Sequence, residues 1–308
     1  MKRAILHIGY PKTASTWFQS EFYPGLADFD YVPQNTVRKA LRRGQGPDFD
    51  AGRARRIIAE ATSSEKITLC KEDIVGDPHT GGYWGHLDPD TVADRLWAVF
   101  GVTGEVVVIL RNQMSALASS YGQYLRRGGC QSPRRYISLT EGPHEVANGC
   151  LNLSHFDYDR LIACYESLFG PERVHVFAYE AFVEDPEGFL KQFTQQLGLG
   201  TAPKPSFRRR NASFGRRVYP LARWLNRFDT RSTWAHQGWH MPVLPNRMRK
   251  AILGMLGQPR IAGPVPDLDW LVGTQTSEIL AERFAKGNQN LARRRGLSLE
   301  QFAYPGFR

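Results

Sequence analysis

Residues 3–17 read RAILHIGYPKTASTW, which is a buried strand, a tight turn and the opening of a helix. Arg3 to Ile8 is a short apolar run of strand length. Gly9-Tyr10-Pro11-Lys12 breaks it, because Gly and Pro punctuate regular structure. A helix is expected from about Ser15 to Tyr23, with Pro24 stopping it. A strand that turns straight into a helix N-terminus is a ready anion site, because the first N–H groups of the helix have no partners within it.

The same pattern recurs downstream. Lys66 to Cys70, Glu105 to Leu110 and Arg173 to Ala178 read as buried strands. Helical spacing separates them over Ala51 to Ala61, Asp90 to Phe100, Met114 to Arg126, Tyr158 to Phe169 and Pro186 to Leu197. Strands alternating with helices imply an α/β fold: a central parallel sheet with helices on both faces. Ligands of such sheets bind at the carboxyl ends of the strands. Beyond Leu199 the alternation stops. Residues 201–260 hold thirteen Lys and Arg, one acid (Asp229), and Trp224, Trp234 and Trp239. This stretch reads as an irregular, partly helical basic lobe, and a closing helix is expected from about Asp267 to Arg295. The expected organisation is one domain over 1–308, with an anion-binding core in 1–200 and the basic lobe and closing helix in 201–308.

A chain of 308 residues, 42% hydrophobic, can bury a large core. Its net charge of +10 favours an anionic partner without choosing among nucleotide, nucleic acid, glycan and membrane surface. Cys70, Cys130, Cys150 and Cys164 are too scattered for a disulfide framework or a zinc site. The apolar run after Met1 is too short for a signal peptide, and no run is long enough to span a membrane. A cytoplasmic protein is expected.

In the loop Pro11-Lys12-Thr13-Ala14-Ser15-Thr16-Trp17, small residues let backbone N–H groups converge on an anion. Lys12 adds a mobile charge, and Thr13, Ser15 and Thr16 add hydroxyl donors. It works like a P-loop without being one: Pro11 stands before the lysine, where GxxxxGK[ST] has Gly. A second signal lies at the end of the Glu105 to Leu110 run, where Arg111-Asn112-Gln113 leads into a helix carrying Ser119 and Tyr121. An Arg fork and a hydroxyl can hold a phosphate dianion.

The first loop resembles the PKTGTT-type 5′-phosphosulfate loop of sulfotransferases that use 3′-phosphoadenosine 5′-phosphosulfate (PAPS). Ala14 stands where that family usually has Gly, which matters if φ must be positive there. The second resembles the family's 3′-phosphate motif RNPxDRAxSxY. Arg111, Asn112, Ser119 and Tyr121 match it, and Gln113, Ser115, Ala116 and Leu117 do not. A third run, with Tyr179-Glu180, Asp185-Pro186 and Leu197-Gly198-Leu199, is also similar and reads as structural. The resemblance implies a P-loop-NTPase-like three-layer sandwich and PAPS as co-substrate, with no metal. It implies nucleotide contacts from Pro11 to Trp17 and from Arg111, Ser119 and Tyr121. An Arg-rich segment closing on the 3′-phosphate is familiar in the family, so Arg209 and Arg210 are candidates too.

By the same resemblance Lys12 stabilises the leaving 5′-phosphate and Glu72 is the base. Asp73 is the alternative carboxylate, and His79 and His86 are the histidine alternatives. The acceptor is expected to offer a hydroxyl or amine, as a glycan or glycolipid does. The run Arg208, Arg209, Arg210, Arg216 and Arg217 is expected to grip an acidic acceptor or close over the nucleotide, and the 201–260 lobe to touch a membrane surface. Two other classes compete. A small-molecule kinase needs carboxylates for Mg²⁺ that cannot be placed, and a nucleic-acid-binding protein needs a motif that does not appear.

Overall fold

The computed structural model describes residues 2–42, 49–80, 84, 87–139, 151–201, 214–229, 241, 243–257 and 259–307. Five strands make one sheet: β1 (Arg3–Gly9), β2 (Asp30–Val32), β3 (Lys66–Cys70), β4 (Gly104–Leu110) and β5 (Val174–Ala178). Every neighbouring pair is parallel, in the order β2-β3-β1-β4-β5. Along β1 the side chains alternate between two buried clusters. Ala4, Leu6 and Ile8 join one, and Ile5 joins the other, as a period of two requires. The sheet is therefore the middle of a three-layer α/β sandwich.

The helices are α1 (Ser15–Trp17), α2 (Gln34–Arg42), α3 (Ala51–Ala59), α4 (Pro89–Phe100), α5 (Gln113–Arg126), α6 (Pro133–Tyr136), α7 (Tyr158–Phe169), α8 (Tyr179–Glu184) and α9 (Pro186–Gln196). They continue as α10 (Val218–Asn226), α11 (Asn246–Leu256), α12 (Pro259–Ala262), α13 (Leu268–Val272) and α14 (Thr274–Arg295). Strand β2 and helices α2 and α8 add to the elements expected from sequence. Two expected helices differ. The first keeps α-helical form only over Ser15–Trp17, then widens to a π turn over Phe18–Phe22 and tightens over Tyr23–Gly25, where Pro24 has no N–H to continue an α-helix. The closing helix is two helices broken at Gly273, whose φ is 88°. The Arg134 guanidinium lies 2.9 Å from where a Cβ on Gly273 would stand.

The crevice follows from topology. After β1 the chain leaves toward β2 at one edge, and after β4 it leaves toward β5 at the other. Adjacent parallel strands whose connections diverge open a crevice at their carboxyl ends. The Pro11–Trp17 loop leaves β1 there and Arg111 leaves β4. Helix α10 packs on α5, and α13 and α14 also lie against α5, so residues from the 200s onward wall this crevice.

Candidate active site

The anion loop is shaped by close approach. A Cβ on Gly9 would sit 2.7 Å from Val75 Cγ2 and 3.2 Å from Glu72 O. Glycine therefore lets the segment after β3 lie directly against the loop. The Lys71 N–H donates to His7 O (3.0 Å) and the Tyr10 N–H to Ile109 O (3.0 Å), which ties the loop to both neighbouring strands. Lys12 (φ 70°) and Ala14 (φ 59°) both lie in the left-handed region. Such residues in a tight loop turn successive N–H groups toward one concavity. The N–H groups of Lys12 to Thr16 find no acceptor among the described residues. Ala14 thus takes the conformation that its usual glycine would adopt freely, at a cost of about 1–2 kcal/mol.

The loop opens on a cleft of about 1610 Å³. Pro11, Lys12, Ala14, Ser15, Thr16 and Trp17 line it, with Glu72, Arg111 and Ser119. Two sequence signals 99 residues apart meet here: Arg111 Nη1 donates to Lys12 O (3.1 Å). Arg111 Nε donates to Ser115 Oγ (2.9 Å) and its guanidinium lies 5.3 Å from the Tyr179 ring. The Asn112 carboxamide caps α5 through Met114 N (3.0 Å) and donates to Ala303 O (2.8 Å), joining the helix start to the C-terminal tail. Burial, then Arg126, Arg127 and Arg111, draw Lys12 below the usual lysine range, while Glu72 acts the other way. Arg111 and Arg126 line the cleft beside Lys12, and an anion bound among the three would offset their mutual repulsion.

Glu72 is held from below. Gln19, in the π turn that follows α1, donates Nε2 to the Glu72 carboxylate and to Cys70 O. A carboxylate oriented by a third group at the cleft floor is how a general base is usually presented. Asp73 turns away and pairs with the buried Lys71 (2.6 Å). His79 is buried against Tyr136, with its Nδ1 on the phenol. Burial first, then nearby cations, lower it to about 4 despite Asp77, and it does not line the cleft. His86, Arg208, Arg209 and Arg210 lie outside the described residues, as do Trp234 and Trp239.

Not every expected contact reaches the cleft. The Thr13 hydroxyl turns inward and donates to Tyr10 O (2.5 Å). Tyr121 is fully buried and its hydroxyl donates to Gln131 O (2.8 Å). Two helical residues two apart point about 200° away from each other, so Ser119 and Tyr121 cannot share the cleft. Stepping along α5 from Ser119 by three and four reaches Ser115, Gln123 and Arg126, which do line it. That phase was available in the sequence and would have found Arg126. Tyr179 and Glu180, read as structural, also reach the cleft. Glu180 accepts from Asn112 N (2.9 Å) and from the Tyr304 hydroxyl (2.9 Å). Arg216 pairs with Asp267 (2.8 Å), which lines the cleft, and lies over Trp270.

No protein-family model matches the chain, and no curated protein does. Among solved structures it is similar to a sulfotransferase from Alicyclobacillus acidocaldarius, with 14% identity, a TM-score of 0.49, and 82% of this chain and 96% of that one covered. It is also similar to the sulfotransferase domain from the curacin biosynthetic pathway, at 14% identity and a TM-score of 0.36, covering 86% and 99%. A mouse sulfotransferase complexed with PAP aligns at 13% identity and a TM-score of 0.36, covering 94% and 88%. Likenesses this distant carry no argument about activity, which rests on the cleft.

Proposed function

We propose that the chain transfers the sulfuryl group of PAPS to a hydroxyl or amine of a glycan or glycolipid acceptor. The observation that carries the reading is the contact of Arg111 with the backbone of Lys12, which brings the loop of unpartnered N–H groups together with Arg111 on the cleft that Ser119 also lines. The orphan N–H groups from Lys12 to Thr16 suit the 5′-phosphosulfate, and Arg111 with Ser119 suits the 3′-phosphate. Trp17, Tyr179 and Phe182 line the same cleft and offer flat faces for the purine. In transfer, the bond from sulfur to the bridging oxygen breaks as the acceptor oxygen or nitrogen bonds to sulfur. The acceptor proton passes to Glu72, and Lys12 meets the charge left on the 5′-phosphate. No step in this scheme calls for a metal ion. A kinase reading would want a carboxylate at the end of β4, where Arg111 stands.

The cleft lining supports an acceptor that donates hydrogen bonds. Beyond Lys12, Arg111 and Arg126 it carries Glu21, Glu184, Asp267, Asp269, Glu278 and Glu282, besides Glu72 and Glu180. Carboxylates accept from sugar hydroxyls and amines and disfavour an acidic group docked directly against them. A neutral or amine-bearing sugar therefore fits better than the acidic acceptor that the overall charge of the chain suggests.

Two outcomes test this. By calorimetry, Arg111→Ala should weaken adenosine 3′,5′-bisphosphate binding by about 2–3 kcal/mol, with no effect of EDTA on either protein. Equal affinity for wild type and variant removes the assignment. Lys12→Ala should stay folded and lose turnover by about a hundredfold or more in a PAPS-coupled assay. An unchanged turnover number removes the role of Lys12.

A further inference from the structure

The outer face of α10 and α11 has a feature that the cleft chemistry does not use. Along α11 the residues Arg249 and Leu253 point inward, and Arg247, Met248, Lys250, Ala251 and Met255 are exposed. Helical phase puts Met248, Ala251 and Met255 on one apolar strip, with Arg247 and Lys250 on the strip beside it. Neighbouring segments carry further exposed apolar side chains. Trp224 of α10 is 53% exposed and packs edge-on against Phe228 at 4.9 Å. Met241 and Val243, both exposed, are held to this helix end by N–H donation to Arg227 O (2.9 Å) and Phe228 O (3.0 Å).

The charge that these two helices and their flanks bring to the surface has one sign. Among the described residues from 214 to 257 the only acid is Asp229, which is fully buried and paired with Arg249 (2.9 Å). The exposed Arg247 and Lys250 and the half-buried Arg227 therefore meet no acid among the other described residues of their own lobe. Exposed Trp, Met and Val set among uncompensated cations are costly in water and suited to a boundary between anionic headgroups and acyl chains. Soluble polyanions would satisfy the cations and leave the apolar strip wet.

We infer that the α10–α11 face seats the protein on an anionic lipid bilayer, with Trp224, Met241, Val243, Met248 and Met255 entering the interface and Arg227, Arg247 and Lys250 meeting the headgroups. Among the described residues no helix is long and apolar enough to cross a membrane, so the contact is peripheral. The inference stands on this surface and does not depend on sulfuryl transfer, so either can fail alone.

Co-sedimentation with vesicles tests it, using phosphatidylcholine alone and phosphatidylcholine with about one third phosphatidylserine, in low and in half-molar salt. Wild type should sediment with the mixed vesicles at low salt and not with phosphatidylcholine alone. Arg247→Glu with Lys250→Glu should weaken this about a hundredfold. Trp224→Ser with Met255→Ser should weaken it about tenfold while the cations remain. All four positions in the two variants are on the surface, and unchanged melting temperatures establish that each variant is folded. The inference is overturned if wild type does not sediment with anionic vesicles, if it binds heparin or duplex DNA more tightly than the vesicles, or if the Trp224/Met255 variant binds vesicles like wild type.

Discussion

Glu72→Gln should lower sulfuryl transfer by about 10²–10⁴-fold and leave adenosine 3′,5′-bisphosphate affinity unchanged. A positioned general base is worth that range, and the substitution keeps the shape while removing the proton acceptor. The Gln19 amide that donates to the Glu72 carboxylate can still donate to a carboxamide oxygen, so the local fold should hold. Binding should survive because the nucleotide contacts proposed for Arg111, Ser119 and the loop do not pass through Glu72. Single-turnover kinetics separates the cases. A fall in the chemical step with unchanged nucleotide affinity supports the base. Full activity in Glu72→Gln ends the assignment. Asp73→Asn and His79→Ala are the matched comparisons. Asp73 answers buried Lys71 and His79 is packed under Tyr136, so their loss should appear in stability rather than in the chemical step.

Arg249→Ala should destabilise the protein by about 3–5 kcal/mol, because it removes the guanidinium that answers the fully buried Asp229 carboxylate, leaving that charge with neutral donors such as Asn246 Nδ2 (2.9 Å). Arg249 is among the largest fully buried side chains. Its Nε meets Asp229 (2.9 Å), Nη1 donates to Asn226 Oδ1 (2.8 Å) and Nη2 donates to Arg126 O (3.2 Å). Asn226 in turn donates to Leu125 O (2.9 Å) and Gly129 O (2.6 Å). One network thus pins α10 and α11 to the end of α5, next to Arg126 on the cleft. Urea unfolding measures the loss through a lower midpoint at constant slope. Combining Arg249→Met with Asp229→Leu should recover much of it, since replacing both partners leaves no orphan charge. A loss below about 1 kcal/mol in Arg249→Ala would mean that water enters and the network does not hold the lobe.

Much of the core follows from local chemistry alone. Lys66–Cys70, Gly104–Leu110 and Val174–Ala178 are strands buried on both faces, so they appear as apolar runs that need no knowledge of their neighbours. The loop from Pro11 to Trp17 is equally local, because its Gly, Pro and small hydroxyl residues set the turn. With strands and helices alternating, a parallel sheet and a site at its carboxyl edge were already implied. Strand β2 escaped because three residues, two of them half-buried, give no periodicity to read.

Tertiary packing decided which side chains the cleft receives. Tyr121 matches a motif letter for letter, yet it stacks among Tyr124, Tyr136 and Tyr219, because α5 presents only one face to the crevice and Ser119 occupies it. Glu72 and Asp73 are adjacent and chemically alike. Which of them faces the cleft depends on Lys71, a buried cation that claims Asp73, and on Gln19, which takes Glu72. The tail around Ala303 and Tyr304 is held at the site by Asn112 and Glu180, partners more than a hundred residues away. A sequence carries residue types and their spacing along one chain. Orientation within the site is settled by competition among distant partners for the same few polar atoms, and that competition exists only once the chain has folded.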